Sequence, residues 1–171
     1  MDGRPVAPPR SRIEVPPDAR DLPGDFACRQ DIVVRFADTD AMGHVNNASY
    51  LTYFEIARVA YYEMVGGEPL PVGVHGVDEG MILAEARVTY RSPAFYGETL
   101  TVETRATRRG RTSFRLEHRL TAPRSRYGEA RLVAVSESVL VTYDYRAERP
   151  IPVPPRLAAA MDAFEGRSLS E

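Results

Sequence analysis

Lysine is missing from all 171 residues. Every one of the 22 basic residues is arginine, which removes Schiff-base chemistry and a phosphate-loop lysine from this chain's repertoire. Cys28 is the only cysteine, so an intrachain disulfide and a cysteine-built metal cluster are both excluded, and a reducing cytoplasm is the expected setting. The three histidines show no metal-ligand spacing, and no metal is expected. No apolar run reaches the length that crosses a bilayer, and the N-terminus is rich in Pro and Arg, so neither a membrane segment nor an export signal is expected. A formal charge of −2 gives no general pull toward nucleic acid or anionic membrane, and no helix-turn-helix pattern is present. An anionic ligand must therefore meet local arginines, whose planar fork suits phosphate.

What remains fits one domain. With 43% hydrophobic and 27% charged residues the chain can bury a core of ordinary size. Residues 1–27 carry Pro5, Pro8, Pro9, Pro16, Pro17 and Pro23 among charges and are expected to form a loose tail. Residues 28–165 make the domain, and residues 166–171 are expected to fray.

Period-two alternation marks a first strand through Ile32, Val34 and Phe36. From Asn47 to Val65 the period becomes helical, with Tyr50, Phe54, Ala57, Tyr61 and Met64 on one face and only a narrow polar stripe through Thr52, Glu55, Arg58 and Tyr62. An apolar arc that wide predicts a helix enclosed on most sides, as by a sheet curling around it. Four more strands follow. They run through Ile82–Tyr90, Leu100–Ala106, Phe114–Leu120 and Leu132–Tyr143, with a hairpin turn at Arg109–Gly110 and a bulge expected around Ser136 to Ser138. Pro154 to Phe164 closes the domain as a short helix. The fold class is α+β, an antiparallel sheet of about five strands around one long helix.

The chemistry concentrates where the first strand meets that helix. Asp38-Thr-Asp-Ala-Met-Gly-His-Val-Asn-Asn47, running into Ala48-Ser-Tyr50, sets two carboxylates, an imidazole and two amides at a helix start. Unpaired N–H groups and the positive dipole end there can hold a carbonyl oxygen while a nearby acid acts on the carbonyl carbon, which is the geometry of acyl transfer. Asp, Asn and Gly are also the ordinary residues of turns and caps, so the weight lies on the whole run.

That run, D-x-D-x-x-G-H-V-N-N-x-x-Y with Phe54-Glu-Ile-Ala-Arg58 after it, resembles the hotdog-fold thioesterases of the 4-hydroxybenzoyl-CoA thioesterase-like group, and the likeness extends from about Gln30 to Ala158. The resemblance implies an acyl-CoA thioesterase, with CoA as part of the substrate and no separate cofactor. It also implies chains that pair their sheets side by side as a dimer or dimer of dimers, with active sites between subunits. The family's catalytic aspartate falls on Asp40, as nucleophile or as general base through a water. His44 falls where plant acyl-carrier-protein thioesterases have a site histidine within N-x-H-V-N-N; Met42 stands for that motif's first Asn, which directs the reading to acyl-CoA with His44 orienting or polarising. Asn47 is a candidate cap beside the substrate, and Tyr50 either lines the acyl pocket or packs in the core. Gly80 matches the family's backbone donor near the thioester. Arg109, Arg111 and Ser113, in the basic turn before Phe114, match its CoA-phosphate site. Some relatives use a helix acid, which leaves Glu55 as a lesser candidate against a surface pair with Arg58. His118 is expected in the core and His75 on an exposed loop. The alternatives are an acyl-carrier-protein thioesterase, a hotdog hydratase or dehydratase, which the motif's order argues against, and a hotdog domain that binds acyl-CoA without turnover.

Overall fold

The structure, a computed structural model, describes residues 22, 24–66 and 79–170. The expectations for the N-terminal tail up to residue 21, for the second glycine after the helix and for His75 lie outside these residues. Strand β1 (Cys28–Val33) leads through one 3-10 turn (Phe36–Asp38) to the long helix α1 (Asn47–Gly66). Then come β2 (Glu79–Tyr90), β3 (Thr99–Arg109), β4 (Ser113–Ala122), β5 (Arg131–Asp144), a two-residue β6 (Arg149–Pro150) and α2 (Pro155–Glu165). The named strands all pair antiparallel in the order β1-β3-β4-β5-β2, with β6 added to β5. The expected α+β arrangement is present.

The first half of α1 buries Tyr50, Tyr53, Phe54 and Ala57 with Ile32, Val34, Leu100, Val102 and Leu120 of the sheet. Its second half joins Tyr61 to Phe114, Leu116, Leu140 and Met161, so that α2 covers the far end. α2 stops at Gly166, whose φ of +66° is the left-handed cap conformation.

The sheet departs from simple alternation at three places. In β2 the pairing passes from Leu83↔Leu140 to Glu85↔Val139, leaving Ala84 as an extra residue. The helix-facing residues are therefore Met81 and Leu83 before it and Ala86, Val88 and Tyr90 after it, whereas alternation alone puts Ile82 and Ala84 on the same face as Ala86. β3 has an irregularity between Ala106 and Arg108. The bulge expected at Ser136 to Ser138 is found elsewhere in β5, at Val133, between the pairs Leu120↔Ala134 and Thr121↔Leu132. Both serines stay in register and are buried because they serve a polar row beneath the helix: Ser138 lies 3.1 Å from Nε2 of His118, whose Nδ1 lies 2.9 Å from the Thr104 hydroxyl.

Both chain ends dock further than their composition suggests. Leu22 and Phe26 are buried on the outer face of the sheet, and the Phe26 ring sits between the guanidinium groups of Arg105 and Arg119 at 4.4 and 4.5 Å. Residues 166–170, expected to fray, return to β3, where Leu169 is buried and accepts the Arg109 N–H at 2.7 Å.

His118 is fully buried under Phe54, and burial followed by the nearby charge of Arg58 pushes its pKa down to about 3. In the unfolded chain histidine takes up a proton near pH 6.5, and the native state refuses it until about pH 3. Stability therefore falls as pH drops below about 6.5, by roughly 2 kcal/mol at pH 5. Denaturant titrations between pH 7 and 5, above the carboxylate range, should show this slope in the native chain and a flatter one in His118→Asn.

Candidate functional site

The segment between β1 and α1 is fixed through Asp38, which is buried at 4% exposure. Its carboxylate accepts the Arg35 backbone N–H at 2.8 Å, the Arg35 guanidinium at 2.8 and 3.3 Å, and the Tyr53 hydroxyl at 3.0 Å. Burial opposes the charge, but the Arg35 hydrogen bonds, aided by Tyr53, hold the carboxyl below the usual range. Its carbonyl accepts the Asn46 N–H at 2.8 Å and the Ser49 hydroxyl at 3.0 Å. One residue thus ties the 3-10 turn to the first turn of α1.

The loop so clamped closes on itself. The Asp40 N–H reaches the His44 carbonyl at 3.0 Å, and Gly43, at φ +82°, donates to the Asp40 carbonyl at 3.0 Å. That φ requires glycine's freedom. The Asp40 side chain is 27% exposed; its Oδ1 accepts the Met42 N–H at 2.8 Å, while Oδ2 makes no hydrogen bond among the described residues. Nδ1 of His44, a side chain 39% exposed, stands 3.9 Å from Oδ1, adjacent but beyond hydrogen-bond distance. An acid and an imidazole are therefore held together and open to a ligand.

Asn46 is the residue that caps α1. Its Oδ1 accepts the Ala48 N–H at 2.9 Å and its carbonyl the Ser49 N–H at 3.0 Å. Asn47, the expected cap, is the first helical residue, and its own N–H makes no hydrogen bond among the described residues. A free donor at the positive end of the helix is what a developing oxyanion needs.

The other candidates are not gathered here. Tyr50 is buried at 3% exposure, edge-on to Tyr90 at 5.0 Å, with burial pushing its hydroxyl up to about 12, so it packs in the core. Gly80 is in the second position of β2, ten residues from Tyr90, whose hydroxyl donates to the Asn47 carbonyl at 3.1 Å. At strand rise that is roughly 30 Å from the helix start. A Cβ on Gly80 would come within 2.7 Å of the Tyr145 ring, so glycine is needed there for close approach. Arg111 and Ser113 lie in and after the β3–β4 turn, at the far end of β3 from Thr99, which pairs with Val33. Arg109, beside them, spends its guanidinium on Asp162 of α2 at 3.0 Å. Glu55 is exposed, and its i,i+3 pair with Arg58 does not close; Arg58 turns into a crevice between α1, β2 and α2, lined by Tyr61, Met81, Leu116 and Leu157, away from Asp40. The candidates thus divide between two ends of the sheet, Asp40, His44 and Asn47 at one and Gly80, Arg111 and Ser113 at the other.

Tyr53 and Tyr90 are neighbours of the junction that periodicity marked only as packing positions, without their hydrogen bonds to Asp38 and Asn47. Nothing local in the sequence ties Tyr53 to an acid fifteen residues earlier. Tyr53→Phe should leave the helix packing intact and remove one donor from a buried carboxylate, costing about 1–2 kcal/mol. Chemical denaturation checks this, with the exposed Tyr96→Phe as a control expected near zero.

Residues 34–161 match the model of the thioesterase-like superfamily. The chain is 28% identical to a 1,4-dihydroxy-2-naphthoyl-CoA hydrolase of Synechococcus elongatus over 73% of this chain and 88% of that one. A Thermus thermophilus thioesterase whose crystal structure holds coenzyme A and zinc superposes with a TM-score of 0.69 at 35% identity, covering 84% of this chain and 98% of the other. A thioesterase-superfamily structure from Jannaschia, at 22% identity, shares the fold with a TM-score of 0.73 over 88% and 89% of the two chains. With its antiparallel sheet wrapped on one long helix, the chain has the hotdog fold and belongs to the thioesterase-like superfamily, a thioester hydrolase by descent.

Proposed function

We propose that this protein hydrolyses acyl-CoA thioesters in the cytoplasm, with Asp40 as the acting carboxylate and without a resident metal or cofactor. The observation that carries the reading is the Asp40 carboxylate, one oxygen held by the Met42 N–H and the other unengaged, at the same junction as the free Asn47 N–H. The thioester oxygen accepts from that N–H, which makes the carbonyl carbon electrophilic. Asp40 then either attacks the carbon, giving a mixed anhydride that water opens, or takes a proton from the water that attacks. On both routes the C–S bond breaks, the sulfur leaves as thiolate and is protonated, and a free acid remains. His44, 3.9 Å from Asp40, orients the carboxylate or polarises the substrate.

Coenzyme A suits the arginine turn. Arg111 is exposed and Ser113 begins β4, whereas Arg109, paired to Asp162, steadies the turn. Since this turn and Asp40 lie at opposite ends of one sheet, the reading takes the working unit to be a homodimer, or a dimer of dimers, in which one copy's turn serves the other's helix start. The names of the relatives, among them an acyl-CoA hydrolase and a thioesterase crystallised with coenzyme A, support the substrate class.

Thiol release from a panel of acyl-CoAs tests the proposal. Asp40→Asn should lower turnover by at least about 100-fold with little change in stability, the scale of a lost acid–base group. Full turnover in that variant removes Asp40 from the chemistry, and no turnover by the native chain on any thioester favours a domain that only binds acyl-CoA.

A further inference from the structure

The second half of α1 borders a crevice whose other walls are α2 and strands β2, β4 and β5. Most of the lining is apolar, with Met81, Phe114, Leu116, Leu140 and Leu157 among it. The polar groups come from α1 alone among the described residues, from Arg58, Tyr61 and Tyr62. The Tyr61 hydroxyl donates to Glu165 at 2.8 Å. Arg58 and Tyr62 stand one turn apart on the same helix face, and neither side chain makes a hydrogen bond or a closed ion pair among the described residues. No acid is found among the described residues that line the crevice.

A half-buried guanidinium among apolar walls is costly without a counter-charge. Burial accordingly holds Arg58 below the usual arginine pKa, and the charge of Glu55 offsets this only in part. Whatever completes Arg58 comes from outside the crevice.

We infer that this crevice selects acyl groups that carry a carboxylate at the end remote from the thioester, with Arg58 and Tyr62 donating to that carboxylate. This rests on the proposal that the protein is an acyl-CoA hydrolase whose two sheet ends work together across a dimer. Met81 and Phe114 adjoin Gly80 and Ser113 in sequence, so the crevice lies at the sheet end with the coenzyme turn, the end which that reading presents to the other copy's helix start.

Size and chemistry agree with this occupant. The crevice has about 240 Å³ of open space, its mouth included, short of the roughly 300–1,000 Å³ of a site that encloses a whole small molecule. It suits one end of a ligand. The walls take methylene or ring carbons, and two donors on one helix face offer a hydrogen bond to each carboxylate oxygen. A plain alkyl end strips water from Arg58 and returns no partner. A hydroxyl end satisfies a donor but brings no charge, and a cationic end meets like charge.

Matched substrates test the selection. Adipoyl-CoA and hexanoyl-CoA form one pair, suberoyl-CoA and octanoyl-CoA another, each equal in chain length and differing in the terminal carboxylate. The native chain should show a kcat/KM at least about tenfold higher for the dicarboxylic member of a pair, the scale of a hydrogen bond between charged groups. Arg58→Gln should cut that ratio by about 10- to 100-fold, Arg58→Lys should recover part of it, and Tyr62→Phe should lower it severalfold. A merely structural loss lowers both members together and leaves the ratio in place. A native ratio near or below one, or a ratio that Arg58→Gln and Tyr62→Phe both leave intact, overturns the selection and leaves the hydrolase standing. If the native chain hydrolyses none of the four, the hydrolase reading falls and Kd for the same thioesters decides the crevice: tighter binding of the dicarboxylic member that Arg58→Gln abolishes upholds it, and equal binding overturns it.

Discussion

Asp38 engages both of its carboxylate oxygens and its carbonyl. The carboxylate gathers the chain before it, through Arg35, and the interior of the helix, through Tyr53; the carbonyl holds Asn46 and Ser49 after it. A buried carboxylate is costly unless it is fully hydrogen-bonded, so the arrangement forms as a whole or not at all. Between those two anchorages the chain has no freedom except to turn back on itself, and the residues at the turn are Asp40 and His44. The first acid of the D-x-D pair is thus the mount, and the second is the carboxylate it holds out toward solvent.

The same division runs through the helix start. Asn46 satisfies the donors of Ala48 and Ser49, which makes the remaining Asn47 N–H more selective, because a ligand finds one amide instead of a diffuse set. Around this point the single chain supplies aromatic packing from Tyr50 and Tyr90 but little enclosure, and the enclosed crevice lies at the far end of α1 beside α2. On the proposed reading, a thioester held here meets one wall from this chain.

Much of this was legible in the residues because the strongest signals are periodic. Tyr50, Phe54, Ala57 and Tyr61 announced the helix face that is buried and Ile32, Val34, Leu100, Val102 and Leu120 the surface on which it rests, but the enclosure on most sides that the wide arc suggested is absent from the single chain, where Ile56 and Met64 are 41% and 49% exposed. The junction that holds Asp40 beside His44 was legible from its density of polar and charged groups. What periodicity missed was set by tertiary partners: Ser136 and Ser138 read as a break in the apolar face because their partner, His118, comes from a different strand. Asn46 and Asn47 carry the same side chain, and only the bond from Asp38 to the Asn46 N–H decides which one caps. Leu22, Phe26 and Leu169 were assigned to loose ends by the composition around them, and the arginines of β3 and β4 gave them somewhere to dock.

The spare residue at Ala84 has a consequence for how this gene can change. It resets which side of β2 faces inward, so losing that one codon would join Leu83 directly to Glu85 in a plainly alternating strand, with Met81, Leu83, Ala86 and Val88 still toward the helix and Glu85 and Arg87 still outward. A one-residue shortening of β2 at this position should therefore be tolerated in descendants of this protein, alongside the usual length variation in its loops.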